Sequence, residues 1–119
     1  MNETKFESRP YKVTQQQINI YANASGGTGK IHTNPEYAKH THFKGTLVHG
    51  LYLVTLIEKE LANLYPGWRG MLQVTFISPV KAEQEFKLFF EKEEYENQVK
   101  VSILHKNNDV AVVGRATIR

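Results

Sequence analysis

There is no cysteine among the 119 residues. Disulfides, thiolate nucleophiles and thiolate metal ligands are therefore excluded, and a cytoplasmic setting is the simplest expectation. Long apolar runs are scarce. The longest uncharged apolar stretch, Leu47 to Ile57, is too short to span a bilayer. The leading residues Met1-Asn2-Glu3-Thr4-Lys5 contain no apolar h-region, so no secretory signal is expected. Lysine and arginine occur singly, with neither a basic run nor an interleaved aromatic platform. That pattern argues against nucleic acid as a partner. A net charge of +3 and a pI of about 9.1 suit an anionic ligand such as a phosphorylated cofactor, and equally suit neutral surface drift. No internal repeat, low-complexity tract or linker is visible. One further absence is local: no acidic residue stands between Ser25 and His32.

What is present suits one domain, residues 1–119, built on one core. Hydrophobic residues make up 40% and charged residues 23%, an ordinary globular balance. A short leading strand is expected over Phe6 to Arg9. Thr14-Gln15-Gln16-Gln17 reads as a capping box opening a helix, and Ile18, Tyr21 and Ala22 share one face of it. The glycines at 26, 27 and 29 end that helix in a loop. Asn34 and Pro35 then serve as N-cap and first residue of a short helix carrying Tyr37 and Ala38. A long helix is expected from about Leu47 to Tyr65. Its first eleven residues carry no charge on any face, the pattern of a helix buried on all sides. Pro66-Gly67 closes it.

From Met71 onward the apolar period changes to two. Leu72, Val74 and Phe76 form one set. Phe86, Leu88 and Phe90 form the next, followed by Val99, Val101 and Ile103, and then Val110 and Val112. Short, turn-like gaps at 79–84, 93–97 and 106–109 predict an antiparallel meander. Such a sheet needs a cover for its apolar face, and the apolar helix is the expected cover. The fold class is thus α+β, a twisted antiparallel sheet wrapped around one central helix.

The residues that stand out chemically are Tyr21-Ala22-Asn23-Ala24-Ser25-Gly26-Gly27-Thr28-Gly29-Lys30-Ile31-His32, followed by Pro35-Glu36-Tyr37-Ala38, Gly45-Thr46-Leu47-Val48-His49-Gly50 and Phe76-Ile77-Ser78-Pro79-Val80. Together these resemble the MaoC-like, R-specific enoyl-CoA hydratases and dehydratases. The signature of that family reads roughly Tyr-Ala-x-x-Ser-Gly-Asp-x-Asn-Pro-Ile-His. The resemblance implies the hot-dog fold and a dimer, homo- or heteromeric. It also implies acyl-CoA or acyl-carrier thioesters bound near the subunit interface, with coenzyme A or the carrier entering only as part of the substrate and no other cofactor. His32 falls at the catalytic histidine. Gly27 replaces the catalytic aspartate, and Gly29 and Lys30 replace Asn-Pro.

Adding water to an enoyl thioester needs a base, an acid and donors for the enolate oxygen. Gly50, near the start of the long helix, offers a backbone N–H where the dipole favours negative charge. His32 is the candidate base or acid, because imidazole exchanges protons near neutrality. Ser25, Gly27, Gly29, Val48 and His49 are expected to line the substrate site. Ser25 is a bonding partner for either His32 or the loop, and His49 either lines the site or caps the helix. Losing the aspartate leaves three outcomes. Another carboxylate such as Glu36 comes into reach, His32 suffices for an easier dehydration, or the chain is a degenerate acyl-thioester-binding subunit.

Three other readings are weaker. A hot-dog thioesterase needs a carboxylate near the oxyanion helix, yet Glu58 lies eight residues beyond Gly50, about 12 Å along a helix. A P-loop fails because Ala24 stands at its first glycine and Ile31 at its Ser/Thr. A metal site from His32, His40, His42 and His49 lacks a supporting carboxylate or thiol, so no metal is expected.

Overall fold

The structure is a computed structural model in which residues 4–93 and 97–118 are described. Two short strands, β1 (Lys5–Glu7) and β2 (Tyr11–Lys12), precede helix α1 (Gln15–Ser25). The capping box is present in full. The Thr14 side chain accepts from the Gln17 N–H, and the Gln17 side chain accepts from the Thr14 N–H. Gly26 ends α1 with φ of 85°, a left-handed conformation that costs glycine little.

Two helices of four residues follow, α2 (Lys30–Thr33) and α3 (Pro35–Ala38). Asn34 caps α3 as expected, its side chain accepting from the Tyr37 N–H. Helix α2 was not foreseen. It is what carries His32.

Helix α4 spans Gly50–Leu64, three residues shorter at its start than the sequence suggests. Leu47 instead forms an isolated antiparallel bridge with Lys81, and the Val48 N–H donates to the Val80 carbonyl. These extended pairings draw residues 47–48 out of the helix.

The expectation that the uncharged first part of the helix, up to Ile57, is buried on all sides is also corrected, while the charged far end at Glu58 and Lys59 is exposed as expected. Only the stripe Leu53, Ile57 and Leu61 is buried, one face at i, i+4 spacing. Leu51 is 69% exposed. The sheet covers one side of the helix, so the apolar residues opposite are left bare in this chain.

Strands β3 (Trp68–Phe76), β4 (Glu85–Lys92), β5 (Gln98–His105) and β6 (Val110–Ile118) complete one antiparallel sheet. Its order is β1-β4-β5-β6-β3, with β2 also paired to β4. The expected meander holds for β4-β5-β6 but not for β3, which pairs with β6 instead of β4. The segment between β3 and β4 crosses past the start of α4, where its Val80 is buried and bound to Val48. Strand β3 is thereby left at the end of the sheet order.

Two details of the alternation differ as well. Phe76 and Val110, expected inward, are 51% and 36% exposed. A register shift between Ile103 and Leu104 disturbs the β5–β6 ladder near Val110, and Ala111 and Val112 are both buried there. A bulge of this kind changes which face consecutive residues occupy.

The core joins the α4 stripe to Phe86, Leu88, Phe90, Val99, Val101, Ile103, Val112 and Ala116. Burial of this apolar stripe against the sheet holds α4 in place. Among the described residues, no helix is long and apolar enough to cross a membrane.

Candidate active site

Local pairings bring His32 to the start of α4. The Leu47 N–H donates to the Ile31 carbonyl at 3.0 Å, so the turn carrying His32 is laced to the strand-like residues before the helix. Gln15 adds a second tie. Its Nε2 donates to the His32 carbonyl at 2.9 Å, and its Oε1 accepts from the buried hydroxyl of Thr46.

His32 Nδ1 lies 2.8 Å from the Leu47 carbonyl oxygen. A carbonyl only accepts, so Nδ1 carries the proton and Nε2 keeps its lone pair. No partner for Nε2 is found among the described residues. The half-buried ring therefore presents a proton acceptor of fixed tautomer.

The His49 ring stacks on His32 with centroids 3.9 Å apart and planes 17° apart. His49 occupies the N-cap position of α4 but makes no side-chain cap bond. Its Nε2 donates to the Gly27 carbonyl at 2.7 Å, and its Nδ1 is buried without a partner. Tyr21 packs against the same ring at 4.9 Å. Neither of the expected alternatives for His49, lining or capping, describes this arrangement. The residue is 93% buried and linked to the glycine loop.

Without a cap, the first N–H groups of α4 remain open. Gly50 and Leu51 have no preceding helical carbonyl to reach, and neither donates to another group among the described residues. Space beside Gly50 is also tight. A β-carbon there would stand 3.0 Å from Phe76 Cζ, so the Phe76 ring lies directly against the helix start.

The remaining expected residues are placed as follows. Ser25 Oγ accepts from the Gly27 N–H at 3.2 Å and thus shapes the loop, leaving His32 to Leu47. The Gly29 carbonyl accepts from the His32 and Thr33 N–H groups and opens α2. Val48 is a core residue, 5% exposed, and its N–H is engaged by Val80. This placement corrects its assignment to a substrate-lining role.

Glu36 does not replace the aspartate. Its exposed carboxylate pairs with Lys39 and His40 at 3.2 and 3.5 Å. No carboxylate hydrogen-bonds either ring of the His32–His49 pair among the described residues. Nor do three histidine or acidic side chains converge there in a metal-binding group. Glu58 is exposed on the third turn of α4. A cavity of about 630 Å³ lies elsewhere, on the face of the sheet turned away from α4, lined in part by Gln73, Thr75, Lys100, Ser102 and Arg115.

Reading the sequence missed the Leu47 carbonyl, the Tyr21 and Phe76 rings, and Gln15. Leu47 acts through its backbone, which no side-chain pattern reveals. Tyr21 carried a signal, its place in the motif, but had been assigned only to a helix face.

Against this geometry, the chain matches the family described as MaoC like domain over residues 1–114. It is similar to the 3-hydroxyacyl-thioester dehydratase Z of Mycobacterium tuberculosis, at 31% identity over 75 residues. The alignment takes in 57% of this chain and 50% of that protein, so it spans about half the length of the curated relative. In architecture it resembles the R-hydratase PhaJ1 from Pseudomonas aeruginosa, with a TM-score of 0.82 and 25% identity over 99% of this chain and 81% of that one. The (R)-hydratase from A. caviae involved in PHA biosynthesis gives a TM-score of 0.83 and 22% identity over 99% of this chain and 96% of the other. The sheet wrapped on α4 is thus the hot-dog fold, and with residues 1–114 matched the chain belongs to the MaoC-like domain family.

Proposed function

We propose that the chain is a hydro-lyase that interconverts a 3-hydroxyacyl thioester and the corresponding enoyl thioester, carried on coenzyme A or on an acyl carrier. One observation carries the reading. The Leu47 carbonyl fixes the free lone pair of His32 on Nε2, and the His32 ring stacks on His49, the residue directly before the open N–H of Gly50.

In the dehydration direction, His32 Nε2 takes the α-proton while the Gly50 N–H holds the thioester oxygen as it gains negative charge. The β C–O bond then breaks, and the imidazolium returns its proton to the departing hydroxyl. Water and a carbon–carbon double bond result, and the neutral imidazole is regenerated. One imidazole serves both transfers when the α-hydrogen and β-hydroxyl lie on one face. The missing aspartate is then a loss of rate and not of mechanism, since a positioned acid or base contributes about 10²- to 10⁴-fold.

The exposed apolar residues Leu51, Phe76 and Ile77 surround the same helix start, and β3 ends the sheet order. Bare apolar groups beside an edge strand favour coverage by another chain. We assign that cover to a second copy of this chain or a related one, with the thioester held beside the contact.

The test is turnover of a panel of enoyl-CoA and 3-hydroxyacyl-CoA thioesters by wild type and His32→Ala. A loss of about 10²-fold or more in kcat is expected. Equal turnover by the two proteins removes His32 from the role of base. That no carboxylate among the described residues bonds either ring favours one second reading, a non-catalytic subunit. Binding of the thioesters without turnover by wild type is its signature.

A further inference from the structure

The stack of two imidazoles has a geometry that the reaction above does not use. His49 is fixed on three sides. Its Nε2–H is tied to the Gly27 carbonyl at 2.7 Å, Tyr21 packs at 4.9 Å, and its backbone opens α4. His32 is held by one side-chain hydrogen bond, and its ring plane lies 17° from that of His49 at 3.9 Å. A single hydrogen bond to Nδ1 leaves the ring free to swing about that contact. A flat neighbour at stacking distance removes the freedom.

The edge of the His49 ring packs close against the bare α-carbon of Gly27. A β-carbon on Gly27 would lie 2.9 Å from His49 Cδ2 and 3.0 Å from Nε2, closer than such atoms pack. One ring nitrogen, Nδ1, is buried without a partner, so the ring keeps its place although one of its own hydrogen bonds is unmade.

We propose that His49 is a positioning residue. It is the platform that sets the plane of the His32 ring and the direction of its Nε2, and it is itself packed against the glycine at position 27. The proposal rests on the hydro-lyase reading for its kinetic consequence only. The two are therefore tested by separate readouts.

The first readout is the nitrogen-15 NMR pattern of the histidine rings, which distinguishes a protonated from an unprotonated ring nitrogen and needs no turnover. Wild type is expected to show His32 as the Nδ1–H tautomer and His49 as the Nε2–H tautomer. His49→Gln keeps a donor for the Gly27 carbonyl but removes the flat ring. In this variant His32 is expected to keep its Nδ1–H tautomer, while its ring signals broaden by exchange between ring orientations. Tyr21→Leu, which loosens His49 from behind and spares the site's hydrogen bonds, is expected to do the same to a smaller degree, and it serves where His49→Gln does not fold.

The second readout is kinetic. His49→Gln is expected to lower kcat about 10- to 100-fold, the scale of a misplaced group, with KM changed less than about threefold. His32 ring signals as sharp as in wild type in a folded His49→Gln protein, or in Tyr21→Leu, overturn the proposal. So does unchanged kcat in a folded His49→Gln protein whose wild type is active. An inactive wild type with the expected NMR changes overturns the hydro-lyase reading and leaves the positioning role supported.

Discussion

The imidazole of His49 packs against the bare α-carbon of Gly27: the ring donates to the Gly27 carbonyl at 2.7 Å, and its Cδ2 lies 2.9 Å from where a side chain would begin. A glycine in the middle of a motif that otherwise reads Asp is therefore not a simple deletion of a catalytic group. The position and its neighbour form one packed unit, and changing either alone disturbs the other.

It follows that Gly27→Asp does not rescue or raise activity. The new β-carbon meets His49 Cδ2 at 2.9 Å, and overpacking of this kind costs about 1–3 kcal/mol. Combining Gly27→Asp with His49→Ala makes room, so the double variant is expected to be more stable than the sum of the two single losses. Contacting residues are where such non-additivity arises. Denaturant melts of all four proteins measure the coupling. A Gly27→Asp protein as stable as wild type would show that the ring moves aside freely.

Much of this was legible in the residues. The capping box at Thr14, the end of α1 at Gly26 and the Asn34 cap each depend on local chemistry, and each is where the sequence puts it. The strands of β4 and β5 follow their period-two pattern. Errors arise where a distant segment competes. Leu47 and Val48 look helical but pair with Lys81 and Val80. The run from Gly50 to Ile57 looks fully buried, but Leu51 is exposed. The same limit applies to the site. His32 and Gly50 can be picked out by residue type, whereas the Leu47 carbonyl that orients His32 belongs to the backbone trace.

Gly114 tests the sheet order. A β-carbon there would stand 2.2 Å from the Gln73 carbonyl oxygen on β3, and backbone atoms in a ladder have little room to yield. Gly114→Ala is expected to cost about 3 kcal/mol or more, the upper end of overpacking penalties. Hydrogen exchange of the β3 amides should accelerate more than that of β4. Uniform exchange and an unchanged melting point would contradict the β3–β6 pairing.

Tyr11 gives a pH dependence with a definite sign. Burial, together with the hydrogen bond it donates to the Glu60 carboxylate and the charge of that carboxylate, pushes its phenol up to about 12 from 10.0. Between those values the unfolded chain has lost the proton and the folded chain has kept it. Stability contributed by the neutral phenol is thus present below pH 10 and lost as pH rises toward 12. Tyr11→Phe is expected to flatten this decline, measured by urea unfolding at intervals from pH 9 to 12. An equally steep decline in the variant would assign the effect to other groups.

Leu51 separates folding from association. It is 69% exposed, so Leu51→Glu is expected to change the stability of the isolated fold by no more than about 0.5 kcal/mol, as surface substitutions usually do. If a second chain covers the start of α4, a charge there must be buried without a partner on association, which is strongly unfavourable. Sedimentation velocity is then expected to show wild type self-associating and Leu51→Glu shifted to the monomer, with thioester turnover falling in parallel. The two losses should coincide because Leu51 adjoins Gly50, so whatever covers one also walls the site at the other. A Leu51→Glu protein that associates as tightly as wild type would place the contact on another surface.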